Sequence, residues 1–216
     1  MAVFSGKNLS CARGHRLIFE DLSFEIESGQ ILALTGSNGC GKTSLLRIMA
    51  GLLDPFTGSI KWNGETTDNE FLSHNILWMA QETPLKPQLS VIENLQFLSC
   101  IMGGPSDKAD IQEALEKAGL GRFSHYPVSY LSMGQRRRTL LTLLYLVKRK
   151  IWLIDEPTNH LDKEGRDHLV KGVSDYVKQG GITVIATHRP ELWGSCTILD
   201  ISSFRENAQE EIKEAA

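Results

Sequence analysis

The sequence predicts an α/β protein: a parallel sheet flanked by helices, an antiparallel β portion ahead of it, and an inserted helical sub-domain. Three observations carry this expectation. Ile31-Leu-Ala-Leu-Thr35, Ile151-Trp-Leu-Ile154 and Ile182-Thr-Val-Ile-Ala-Thr187 are short apolar runs, and the last two are rich in β-branched residues without alternation, as strands covered on both faces require. Leu22 to Glu27 instead alternates apolar and polar side chains, and Ser59 to Trp62 stands between Gly58 and Asn63-Gly64, the marks of half-exposed antiparallel strands. Between Gln81 and Lys150 strand-like runs disappear, and Val91 to Met102, Asp107 to Ala118 and Ser132 to Lys148 show helical spacing.

Taken in chain order, the first apolar run ends in a glycine-rich turn, and Lys42 to Ala50 then reads as a helix closed by Gly51. Gly103-Gly-Pro105 and Gly119 to Gly121 divide the insertion into separate helices, and the charged stretch 208–216 reads as a tail of frayed helix or disorder. A length of 216 residues with 41% apolar content suits one large domain with a packed core. We expect the β portion and core over 1–80 and 150–207, the helical sub-domain over 81–149, and the tail over 208–216.

Composition excludes several classes. With 23 basic and 26 acidic residues the net charge is −3, so the electrostatic footprint of a nucleic-acid binder is missing and no nucleic-acid partner is expected. The longest nearly uninterrupted apolar run, Leu140 to Val147, is far short of the roughly 20 residues that cross a bilayer, so no direct membrane insertion is expected. Residues 1–10 lack a signal-peptide pattern, and the four cysteines, Cys11, Cys40, Cys100 and Cys196, lie far apart, which suits a reduced cytoplasmic setting. His15, His74, His125 and His168 lack the spacing of metal ligands.

The motif that carries chemistry is Gly36-Ser37-Asn38-Gly39-Cys40-Gly41-Lys42-Thr43, followed by Ser44. It matches the phosphate-binding loop and stands where the mechanism needs it, after a buried strand and opening a helix. Its backbone N–H groups turn toward phosphate, Lys42 reaches the β- and γ-phosphates of ATP, and Thr43 holds Mg²⁺. Asp155 ends a buried strand where its carboxylate can take that ion through water, and Glu156, the next residue, can polarise a water molecule. Leu131-Ser132-Met133-Gly134-Gln135 places a serine and a glycine amide at a helix N-terminus, an anion site by geometry. Arg136-Arg137-Arg138 follows, and on local grounds it can also be read as a solvated charge run.

Together, Gly36 to Thr43, Gln81, Leu131 to Gln135, Asp155-Glu156, Asn159 to Asp162 and His188 resemble, in order, the phosphate loop, Q-loop, signature, Walker B, D-loop and switch histidine of ATP-binding cassette (ABC) proteins. The resemblance implies a RecA-like core with an antiparallel β portion and a helical sub-domain. It implies two copies clamping ATP head to tail, so that Ser132 and Gly134 of one meet the γ-phosphate bound by the other. It further implies Gln81 near the metal, Gln135 in the nucleotide site, Glu156 and His188 in hydrolysis, and integral membrane subunits as partners.

A narrower likeness rests on Trp62, Leu77-Trp78, Leu89 to Leu95, Trp152, Gln179 to Ile182 and Thr187 to Pro190. These resemble the ATP-binding subunits of bacterial haem exporters of cytochrome c maturation, which implies a peripheral location on the cytoplasmic face of the inner membrane. Two departures stand out. Arg13 occupies the position where many cassettes stack an aromatic residue on adenine, a task a guanidinium plane can also perform. Met133 replaces the usual glycine or alanine of the signature. The run Glu156-Pro-Thr-Asn-His-Leu-Asp162 is typical of cassette proteins that act on ribosomes and supports the rival reading, a single-cassette relative of soluble translation factors. Such factors carry two cassettes and a charged linker in one chain, and this sequence has one phosphate loop. A chromosome-structure head would separate its two Walker motifs by a long coiled coil, whereas about 110 residues lie between them here.

Overall fold

A computed structural model describes residues 1–14, 16–82 and 84–204, so the expected tail and His15 lie outside the described residues. The chain forms two compact units. The first comprises Met1–Trp78, Lys150–Asp155 and the residues from Tyr176 onward; the second comprises Met79–Arg149 and Glu156–Asp175.

In the first unit, β1 (Val3–Arg13) and β2 (Arg16–Glu27) form a long antiparallel hairpin, and β1 pairs on its other edge with the strand Thr57–Trp62. Phe24 and Ile26 point into the core while Ser23, Glu25 and Glu27 do not, the alternation that the sequence predicts for Leu22–Glu27. The second sheet contains β3 (Ile31–Thr35). With the strand Thr57–Trp62 as β4 and Glu65–Thr66 as β5, the remaining strands are β6 (Ile76–Met79), β7 (Ile151–Asp155), β8 (Ile182–Ala186) and β9 (Thr197–Asp200). The two sheets run in the orders β2-β1-β4-β5 and β6-β7-β8-β3-β9. β7, β8, β3 and β9 are mutually parallel, and every residue of β7 and β8 is buried, which explains their unbroken apolar runs.

One hydrophobic core joins these sheets to α1 (Lys42–Met49), from Phe4, Phe19 and Leu22 through Leu45, Leu46 and Met49 to Leu153 and Val184. α2 (Asn69–Asn75) is capped by the Asp68 carboxylate, which accepts from the Phe71 amide at 2.7 Å. Trp152 stacks on Tyr176 with ring centroids 3.6 Å apart.

In the second unit, α3 (Val91–Ile101) opens with a Ser90–Glu93 capping box, and α4 (Lys108–Lys117) is capped by Asp107, as the expected helices at 91–102 and 107–118 require. The single helix expected over Ser132–Lys148 is corrected to two, α5 (Met133–Leu141) and α6 (Leu143–Leu146). Thr142 lies between them, and its hydroxyl donates to the Arg138 carbonyl at 3.1 Å, a back-bond that disturbs a continuous helix. The segment 156–175, expected with the core, groups with 79–149 instead. It includes most of α7 (Lys163–Lys178) and is tied to the helices by an Arg138–Asp162 ion pair and a Tyr145 hydroxyl bond to the His168 carbonyl.

Candidate active site

The strand order β7-β8-β3 puts three chain segments in one row. Ala186 pairs with Leu34 on one side and Asp155 on the other, so the turn after β3, the acid at the end of β7 and the loop after β8 leave the sheet at the same edge. Ligands of open parallel sheets bind outside this carboxyl edge.

The turn after β3 is the glycine-rich loop Gly36–Thr43, which the sequence predicts to bind phosphate. Gly36 and Gly41 take φ of 131° and 116°, values a side chain resists, and each is also hemmed in. A Cβ at Gly36 would stand 2.7 Å from Cys40 Sγ and 2.8 Å from Ser202 Oγ; at Gly41 it would meet Ile18 Cγ2 at 2.8 Å. α1 begins at Lys42 with no side-chain cap, so its first-turn N–H groups face an anion site unopposed. The Lys42 side chain is buried, with Nζ donating to the carbonyls of Gly36 at 2.9 Å and Ser37 at 3.3 Å. The ammonium therefore lies across the glycine-rich loop.

The Thr43 hydroxyl donates to Asp155 Oδ2 at 2.8 Å, joining two residues 112 positions apart. A hydroxyl and a buried carboxylate in contact are oxygen donors of the kind that can hold Mg²⁺. Next along the loop, Asn38 Oδ1 lies 3.0 Å from His188 Nε2. Ser44 is buried and bonds the Cys11 thiol, whose pKa burial raises despite that bond. Arg13 is exposed near the hairpin tip, directly across from Arg16. The Ser37 amide donates to Ser202 Oγ at 3.2 Å, a brace that nothing in the local sequence announces.

The second unit carries the remaining candidates. Ser132 Oγ accepts from the Gln135 amide at 3.2 Å and Gln135 Oε1 from the Ser132 amide at 2.9 Å, a capping box that starts α5. A Cβ at Gly134 would stand 2.5 Å from the His160 carbonyl oxygen, so glycine is required there for close approach. Gln81 is exposed at its side chain, and its carbonyl accepts from Arg137 at 3.2 Å. Glu156 is buried with φ 44°. Met133 is 63% exposed. The arginine run is no solvated face: Arg136 donates to the Val128 and Ser129 carbonyls, buried Arg137 to those of Ala80 and Gln81, and buried Arg138 to Asp162. Among the described residues no three His, Cys, Asp or Glu side chains converge as metal ligands, and His74 and His168 pair with Glu70 and Glu164 of their own helices.

The sequence model of the ABC transporter family matches residues 19–159. The cytochrome c biogenesis ATP-binding export protein CcmA of Rhodopseudomonas palustris strain HaA2 is 44% identical over 186 residues, covering 86% of this chain and 92% of that protein. The Escherichia coli K12 protein of the same name is 37% identical over 192 residues, covering 88% and 91%. Among solved structures, a putative ABC transporter ATP-binding protein from Pyrococcus furiosus superposes with a TM-score of 0.82 at 25% identity, covering 94% of this chain and 98% of that one. A dimeric ATP-binding cassette in a post-hydrolysis state with ADP and Pi superposes at 0.78 and 22% identity, covering 92% and 95%.

Proposed function

The chain belongs to the ABC transporter family as an ATP-binding, ATP-hydrolysing subunit, and from that premise we propose that it powers the export step of cytochrome c biogenesis, with haem handled by membrane subunits it docks beneath. The reading of the site rests on one observation above the others, the Thr43–Asp155 contact at 2.8 Å beside the uncapped start of α1. Nucleotide phosphates lie on the N–H groups of the loop Gly36–Thr43, with Lys42 released from the Gly36 and Ser37 carbonyls to the β- and γ-oxygens. Thr43 and Asp155 would hold Mg²⁺, with Gln81 as the further ligand that the family resemblance implies, and the ion would neutralise phosphate charge when bound.

Hydrolysis needs a water molecule placed in line with the γ-phosphate. Glu156 accepts its proton, and His188, held by Asn38 on the loop itself, orients the γ-phosphate end. Ser132 and Gly134, with Gln135 fixing the serine, present their helix N-terminus to the nucleotide of a second copy, so a head-to-tail homodimer completes both sites. No described helix is long and apolar enough to cross a membrane. In this reading, which rests on the similarity to the export proteins, coupling passes to separate integral subunits, with this chain peripheral on the cytoplasmic face of the inner membrane. Purification of the native protein from detergent-solubilised membranes should bring those subunits down with it; recovery with ribosomes and no integral protein would replace the exporter reading by the translation-factor one.

Arg13 stacks on adenine in this scheme. Ile18 of the same hairpin packs against Gly41 of the loop, which supports this reading. Arg13→Ala should weaken ATP binding by up to about 1 kcal/mol and Arg13→Tyr should restore most of it. Equal affinities for all three proteins in a fluorescent-nucleotide titration would remove Arg13 from the site.

A further inference from the structure

Arg138 is only 7% exposed, a buried cation to which the nucleotide chemistry above gives no task. Its Nη2 donates to Asp162 Oδ1 at 2.6 Å, while Glu164 Oε1 lies 3.7 Å from Nη1. The same Asp162 oxygen accepts from the Gly165 amide at 2.8 Å. That amide bond, with the Arg138 charge beside it, lowers the Asp162 pKa. Room for the guanidinium comes from missing side chains: a Cβ at Gly165 would stand 2.9 Å from Nε, and one at Gly119 would stand 3.2 Å from Nη1.

These contacts fasten α5 to the segment 156–162. That segment holds two non-glycine residues in left-handed backbone, Glu156 at φ 44° and His160 at φ 65°. Such backbone persists only where surrounding contacts over-determine it. The fastening has two points, the Arg138–Asp162 pair and the contact of Gly134 with the His160 carbonyl, and Ser132, Gly134, Arg138, His160 and Asp162 line a single cavity.

We propose that Arg138 is a positioning residue for hydrolysis: through Asp162 it locks the loop of Glu156 to the signature helix, so that Glu156, Ser132 and Gly134 are set as one body. The inference rests on the reading that Glu156 polarises the attacking water. The cation is buried and its partner carboxylate is 66% exposed, so neutralising Asp162 spares the packed interior and reduces the charged pair to a hydrogen bond on a neutral amide oxygen, leaving Glu164, 3.7 Å from Nη1, as the charged partner.

The test uses the protein purified with its membrane subunits, and compares Asp162→Asn, Arg138→Met and the double variant. Each should lower kcat by about tenfold or more while KM and the ATP Kd stay within about twofold, and the double should match the singles, since residues in one ion pair are not additive. Unchanged kcat in Asp162→Asn, or losses that multiply in the double variant, would overturn the positioning role. Should Arg138→Met not fold, Asp162→Asn decides alone. Glu156→Gln is run alongside: if it keeps turnover, the premise fails; if it abolishes turnover while Asp162→Asn turns over normally, the positioning role alone fails.

Discussion

Glu156→Gln should stop hydrolysis while leaving ATP binding intact, and with ATP and Mg²⁺ the protein should accumulate as a dimer. Glutamine keeps the size and hydrogen-bonding reach of the side chain and removes the base, a change that costs general-base catalysis about 10²- to 10⁴-fold. The left-handed backbone at this position penalises glutamate and glutamine alike. Closure around two nucleotides then persists because nothing discharges it. Light scattering should report dimer mass for this variant with ATP and monomer mass with ADP. Adding Ser132→Arg should prevent the shift by placing bulk and charge in the shared interface. Ser132 also caps α5, so that change forfeits about 1 kcal/mol of cap stabilisation and its folding is checked by thermal melting. A monomer under every condition, repeated for the purified complex, would discard the head-to-tail arrangement.

Lys42→Ala should weaken ATP binding severely and also lower stability. A charge-assisted bond to phosphate is worth about 1.5–3 kcal/mol, so its loss weakens binding by about ten- to a hundredfold even with the backbone amides in place. The second effect is visible only in the folded chain. Buried Nζ donates to the Gly36 and Ser37 carbonyls, and alanine leaves these acceptors without that donor, at a cost of about 1–3 kcal/mol in unfolding free energy. Nucleotide titration and a denaturant melt measure the two separately. Near-normal ATPase activity would remove the phosphate-loop assignment; lost binding with unchanged stability would show that Lys42 points away from the loop carbonyls in solution.

The glycine-rich turn and the helix after it were legible because their requirements are local. Gly36, Gly39, Gly41, Lys42 and Thr43 act through backbone turns and a helix start within a few residues, and β7 and β8 advertise burial on both faces in every position. Other elements left weaker traces. β1 carries register shifts between Gly6 and Leu9 and between Leu9 and Cys11, which break the alternation that would mark it as a strand. β9 is mostly exposed and owes its strand to pairing with β3, more than 160 residues earlier in the chain. α7 runs for 16 residues but buries only Gly165, Leu169 and Val173, too thin an apolar stripe to stand out.

By itself the sequence determined the α/β class, the glycine-rich turn between β3 and α1, Asp155 and Glu156 at the end of a buried strand, and the cap that opens α5. Tertiary structure alone decided that Thr43 meets Asp155, that Asn38 meets His188, and that three adjacent arginines part to three different segments, two of them buried. It also decided that Glu156 and His160 take left-handed backbone. The reason is physical: a turn, cap or covered strand is stabilised by neighbours in the chain, whereas an ion pair or a strained φ is held by groups that only folding brings within reach.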